Sequence, residues 1–168
     1  MQFMYLSYND LSGTIPNVKA SLLDFSHNQL SGTLPELSDF IFLDVSHNKL
    51  SGTIPVSIGN SKELKGIYGQ SNLFSGTLTL CNLNNSALLN IDFSKNNFSD
   101  VTWENFDTNC HPQNIILSSN KLQDVPQQIE IENLDLSHNH IFQWSPSECN
   151  VKKLNLANNF LTFPVSYL

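Results

Sequence analysis

Arginine is absent from this chain. All eight basic residues are lysine, set against fifteen carboxylates, for a formal net charge of −7. Nucleic-acid recognition draws on a basic footprint and on forked guanidinium donors, so that class is excluded. The acidic balance mainly implies solubility. Cysteine is scarce and odd in number: Cys81, Cys110 and Cys149. An odd count cannot close into a complete internal disulfide set. Cys110 beside His111 is not a zinc spacing, and no motif asks for a metal or a cofactor. No apolar run is long enough to span a bilayer. Linkers and low-complexity segments are also missing. With 168 residues, 40% of them hydrophobic, the chain suits one elongated unit better than several globules.

What the chain has in abundance is self-similarity. The clearest copies read LLDFSHNQLSGTLP, Leu22 to Pro35, and FLDVSHNKLSGTIP, Phe42 to Pro55. Each copy turns on one asparagine: Asn9, Asn28, Asn48, Asn72, Asn96, Asn120, Asn139 and Asn159. The steps between these anchors are 19, 20, 24, 24, 24, 19 and 20 residues. Apolar residues sit five and three positions before most anchors and two after. The pattern matches the leucine-rich-repeat signature, and the steps lie in its range. The pair at −5 and −3 has period two, the mark of a short strand with one face inward. Such pairs are Leu23/Phe25, Leu43/Val45, Ile91/Phe93, Ile115/Leu117, Leu134/Leu136 and Leu154/Leu156. One turn cannot bury this face alone, and stacking the turns builds a parallel sheet with a continuous core behind it. Such a sheet extends about 34 Å along its inner edge. The anchor amides are expected to form a ladder that satisfies backbone groups of their own and the adjoining turn.

After the first four anchors the chain continues as LSGTIP, LSGTLP, LSGTIP and FSGTL. Gly13, Gly32, Gly52 and Gly76 would permit a tight turn there, and Pro16, Pro35 and Pro55 would hold the departing chain extended. The last four tails change to FSDV, LQDVP, IFQW and LTFP. The LSG tail resembles the plant-type subclass of leucine-rich repeats, found in receptor-like ectodomains and polygalacturonase inhibitors. The repeat core of that resemblance covers almost the whole chain, the tail about its first half.

The expected fold is thus an α/β-repeat, leucine-rich-repeat solenoid. It is right-handed, with a parallel sheet on the concave face and short irregular or 3₁₀ convex segments. Residues 1–168 form a single domain of about eight repeats. No cysteine-bearing N-terminal cap and no C-terminal cap are recognisable, so a piece of a longer solenoid is expected. The resemblance implies an extracellular or cell-surface setting, although no signal peptide is visible. Asn84 and Asn97 stand in glycosylation sequons. Cys110 and Cys149 each lie ten residues before an anchor and two turns apart, about 10 Å, too far to bridge. All three cysteines read as free thiols.

If −5 and −3 point inward, alternation places −6, −4, −2 and −1 on the solvent face. Three features follow. An aromatic group occupies the early turns: Phe3, Tyr5, Tyr8, Leu22 and Phe42, with Tyr68 further on. Adjacent exposed aromatics suit a partner-binding hot spot, whereas Leu22 and Phe42 are expected to be drawn toward the core. Asp24 with His27, Asp44 with His47, and Asp135 with His138 pair carboxylate and imidazole, and Asp92 continues the row. An open sheet offers no deep pocket for a nucleophile, so neither catalysis nor a metal site is expected. His27 and His47 would instead make partner binding sensitive to pH. Thr14, Thr33, Thr53 and Thr77 form a regular row, the kind of surface that ice-binding solenoids use.

The function expected is non-enzymatic recognition of a protein or peptide on the concave face. Its candidate residues are Tyr5, Tyr8, Asp24, His27, Asp44, His47, Tyr68 and Asp92. An inhibitor of a secreted wall-degrading enzyme is the alternative, with ice binding a lesser one. Nothing in the sequence sets the oligomeric state.

Overall fold

The computed structural model describes residues 2–59, 61–79, 88–103, 112–126, 130–144 and 150–162. Cys81, Cys110, Cys149 and the Asn84 sequon lie outside them.

Eight short strands form the first sheet: β1 (Phe3–Tyr5), β3 (Leu22–Asp24), β5 (Phe42–Asp44), β7 (Gly66–Tyr68), β9 (Asn90–Asp92), β11 (Asn114–Ile116), β12 (Glu130–Asp135) and β13 (Asn150–Asn155). They pair in chain order, every pair parallel. Equivalent repeat positions face each other without offset, as in Leu22↔Phe42 and Leu43↔Ile67. Each −6 and −4 side chain therefore has its counterparts directly beside it on the neighbouring turns.

The inward pairs behave as the period-two pattern requires. Leu23, Phe25, Leu43, Val45, Ile91, Phe93, Ile115, Leu117, Leu134 and Leu136 are all buried. Leu154 and Leu156 are only partly so, because no further described turn covers them. The fourth repeat breaks the pattern with Gly69 at −3. There the Phe93 ring occupies the space, 2.3 Å from where a Cβ would stand. Phe93 packs edge-on against Phe74 and Phe98, with centroids 5.9 and 5.7 Å away. A large ring from the next turn replaces the missing side chain.

Beyond the first five anchors the chain is more regular than the irregular or 3₁₀ segments expected, while the described residues after Asn120, Asn139 and Asn159 are irregular. β2 (Ser12–Gly13), β4 (Gln29–Gly32), β6 (Lys49–Gly52), β8 (Leu73–Leu78) and β10 (Asn97–Val101) build a second, five-stranded parallel sheet. Helix among the described residues is the single turn α1 (Val56–Gly59). The LSG-type tails supply four of its five strands. The glycine of the tail takes a positive φ, +80° at Gly32 and +79° at Gly52, while the methyl of the preceding turn's threonine lies 2.9 Å from any Cβ added there. Only glycine meets both conditions without strain. This sheet is also staggered: Ser12 pairs with Gln29, and Ser31 with Lys49, two residues out of repeat register.

The anchor asparagines stitch the turns together as the repeat pattern implies. Asn96 donates from Nδ2 to the carbonyls of Gly69, Phe93 and Ser94, and its Oδ1 accepts from the Phe74 N–H at 3.0 Å. The same tie to the preceding turn recurs from Asn28 through Asn159. Asn9 makes only local bonds, to the Leu6 and Ser7 carbonyls, and is exposed. Asn96→Ala should therefore cost at least about 3 kcal/mol, since several buried backbone groups lose their partner at once. Asn9→Ala should cost under about 1 kcal/mol. Equal losses in urea unfolding would contradict this role for the buried ties.

Candidate functional site

The solvent face of the first sheet is built by strand alternation plus one unusual backbone turn. Every residue just before an anchor adopts a left-handed conformation: Tyr8, His27, His47, Ser71, Lys95, Ser119, His138 and Asn158, with φ between 53° and 58°. None is glycine. From Tyr8 to His138 the turn lets the N–H reach the −2 carbonyl of the next repeat, as from His27 to Ser46 at 2.9 Å and from Lys95 to Ser118 at 2.8 Å. It also tips the −1 side chains outward in a row, on the solvent face expected for them.

The −2 position was expected on this same face, and the structure corrects that. Ser26, Ser46 and Ser137 are buried, and Ser7, Ser94 and Ser118 half-buried. For Ser26, Ser46, Ser94 and Ser137 a tie from −4 accompanies this burial. The Oδ1 of Asp24, Asp44, Asp92 and Asp135 accepts the backbone N–H two residues on, at 2.9–3.0 Å. Asp24 also accepts from the Ser26 hydroxyl at 2.7 Å. These carboxylates brace the turn leaving the strand, a local Asx arrangement. They are half-buried and keep one oxygen each for other work.

Tyr8, His27 and His47 form a column of stacked rings. Successive centroids lie 4.2 and 4.1 Å apart, with interplanar angles of 10° and 11°. The Asp–His pairs read from the sequence are thus resolved into two rows: carboxylates tied to the backbone, imidazoles stacked on one another. Among the described residues no three His, Cys, Asp or Glu side chains gather as a metal site would require.

Of the other candidates, Tyr5 and Tyr8 are 65% and 76% exposed, and Phe3 is 54% exposed beside Tyr5. Tyr68 is half-buried. Leu22 and Phe42 are also half-buried, as expected of them. The cause for Phe42 is Gly66 on the next strand, whose missing side chain leaves room for the Phe42 ring. Asn97 opens β10, half-buried, on the second sheet rather than the first.

The second half of this face holds an arrangement outside the candidate set. At −6, Asn114 donates to Asn90 Oδ1 at 2.7 Å, and Asn133 donates to Asn114 Oδ1 at 2.6 Å. This amide ladder edges an open concavity of about 400 Å³, whose lining includes Ile116, Asp135, Lys153 and Asn155. Ile116 is 37% exposed within it. The signal was present in the sequence as asparagine at three successive −6 positions, but their hydrogen bonding was not.

A family model for the Leucine Rich Repeat matches residues 19–40, 39–61 and 130–151. These segments of the chain carry leucine-rich repeats, and its fold is that of a leucine-rich-repeat solenoid. No curated protein matches its sequence. Among solved structures, it resembles the ectodomain of the Arabidopsis thaliana receptor kinase GASSHO1/SCHENGEN3, crystallised with CASPARIAN STRIP INTEGRITY FACTOR 2. Identity is 24% and TM-score 0.69, over 94% of this chain and 21% of that one. A TDR receptor gives TM-score 0.73 at 20% identity, over 96% of this chain and 35% of that one. A plant ice-binding protein gives 0.67 at 26% identity, over 92% and 55%. These likenesses confirm the solenoid and its resemblance to plant receptor ectodomains. The leucine-rich-repeat chain spans well under two thirds of each of these structures.

Electrostatics on the face centre on His47. Burial holds its pKa below the usual 6.5, helped by the neighbouring His27 and Lys95 and opposed by Asp44 and Asp92. Tyr68 is pushed upward by burial and then by the same two aspartates. For His47 the folded pKa lies below the unfolded one. The unfolded chain therefore binds the proton first as pH falls through about 6.5, and folded stability declines from there. Wild type should lose melting temperature between about pH 7.5 and about pH 5.5, and His47→Asn should flatten part of that slope. An unchanged slope in the variant would remove His47 from the account.

Proposed function

We propose that this chain is a non-enzymatic recognition module that binds a protein or peptide on the exposed face of its first sheet, at or outside the cell surface. The observation that carries this is the contrast between fixed and variable positions on one rigid sheet. Anchors and inward residues repeat, while the exposed −6, −4 and −1 positions differ from turn to turn. They present a ring column in the first half and a concavity of about 400 Å³ in the second. A scaffold held by backbone ties at every turn loses little entropy on binding. Exposed tyrosines beside polar groups supply rigid contact area. The likeness to an ectodomain crystallised with its factor supports the reading. Residues 1–168 act in it as one recognition domain.

A selection of displayed peptides against the chain tests the proposal. Ile116→Glu, or the triple change Tyr5→Ala/Tyr8→Ala/Tyr68→Ala, should weaken selected binders at least about ten-fold. Thr33→Glu, just beyond β4 of the second sheet, should leave them unaffected. The opposite ranking would refute concave-face recognition.

A specific observation favours a second reading, ice binding. Thr14, Thr33, Thr53 and Thr77 are all exposed and extend from the second sheet, and a plant ice-binding protein is among the similar structures. The stagger of that sheet makes the row run obliquely across the strands. The row then meets Asp100, which accepts from the Thr77 hydroxyl at 3.4 Å. Ice binding requires measurable thermal hysteresis that Thr33→Tyr reduces; a freezing point equal to the melting point discards it.

A further inference from the structure

The ring column on the first sheet stops where its backbone does not. His47 is followed at −1 by Ser71 and then Lys95, in the same left-handed conformation, with φ of 53°, 57° and 54°. Strands β5, β7 and β9, which carry these turns, pair without offset. A ring at position 71 would therefore continue the Tyr8–His27–His47 stack, whose steps are 4.2 and 4.1 Å. Serine supplies no ring. His47 is exposed, as is Lys95.

We propose that the space above Ser71 is a slot for one aromatic side chain of a peptide partner, stacked on His47 and covered on its other side by Lys95. The slot is a subsite of the concave face proposed above and rests on that reading. Its chemistry is specific. An aromatic ring stacks face to face on imidazole, and an ammonium lies favourably over a ring's opposite face. The His47 ring is already held by its stack on His27, so it needs little ordering on binding. Lys95 is near enough to act electrostatically on His47.

The surroundings narrow the ring further. Tyr68, at −4 of the same turn, lies between Asp44 and Asp92, which face each other across it in the register Asp44↔Tyr68↔Asp92. Both carboxylates act on His47 and on Tyr68. Each uses Oδ1 for a serine N–H and retains its second oxygen as an acceptor. A neutral ring with a hydrogen-bond donor, the indole of tryptophan or the phenol of tyrosine, fits this setting. A ring carrying an anionic group would meet two carboxylates.

The test uses two capped tripeptides, acetyl-Gly-Trp-Gly-amide and acetyl-Gly-Leu-Gly-amide, titrated into the whole chain while the His47 ring signals are followed by NMR. The tryptophan peptide should shift those signals by ring current and bind at least about five-fold more tightly than the leucine peptide. Ser71→His completes the column from within and should abolish the difference. Ser119→His, the equivalent change two turns further on, should leave it intact. If Ser71→His fails to fold, His47→Asn takes its place, with the same loss expected. Equal binding of the two peptides, or tryptophan binding that survives Ser71→His, overturns the slot. Such a failure leaves the concave-face reading to its own test at Ile116, where the slot plays no part.

Discussion

A solenoid turn must leave its strand without stranding backbone groups, since a buried unpaired N–H or C=O costs about as much as a lost hydrogen bond. The anchor asparagine meets that constraint at every junction between described turns. Its amide reaches carbonyls of its own turn and one of the turn before, and its oxygen takes an N–H from that earlier turn. Leucine packing alone would not fix the turns so closely, because apolar contact is non-directional. The buried Asn28, Asn72, Asn96, Asn120 and Asn139 are thus as much part of the core as the leucines beside them.

The same exit from the strand creates the surface. To bring the amide inward, the preceding residue takes a left-handed backbone, a conformation that costs a non-glycine residue about 1–2 kcal/mol. The fold bears that cost at all eight turns. The −4 aspartates help by holding the intervening N–H, which explains why Asp24, Asp44, Asp92 and Asp135 recur next to serine. Rows of side chains in identical poses follow from this repetition. Where the row holds rings, they stack; where the −6 row holds asparagines, they join into a ladder. Recognition chemistry here is a by-product of the device that turns the chain.

The two sheets divide the molecule's possibilities. The first is in register, so unlike side chains can be combined across turns into patches and a concavity. The second is staggered and nearly uniform in its serine, glycine and threonine, a surface with little to distinguish one partner from another. This difference favours the first sheet for selective binding, while the likeness to an ice-binding protein draws attention to the second.

Much of this architecture was legible from residue order. The asparagine period located every turn, and the −5/−3 pairs named the buried strand faces, because both follow from side-chain chemistry repeated at fixed spacing. The LSG glycines announced positive φ, which a missing Cβ makes readable. Four things depended on tertiary structure. The second sheet arises because extended tails of neighbouring turns meet side by side. The inward placement of Ser26, Ser46, Ser94 and Ser137 goes with hydrogen bonds to the −4 aspartates. Phe93 fills the site of Gly69 because adjoining turns share one core. The ring column and amide ladder need neighbours 19 to 24 residues away brought into register. Sequence by itself determined which groups each turn contributes; only the stacking of turns decided which of them touch, since contact between repeats is set by register and backbone conformation, and no single repeat contains either.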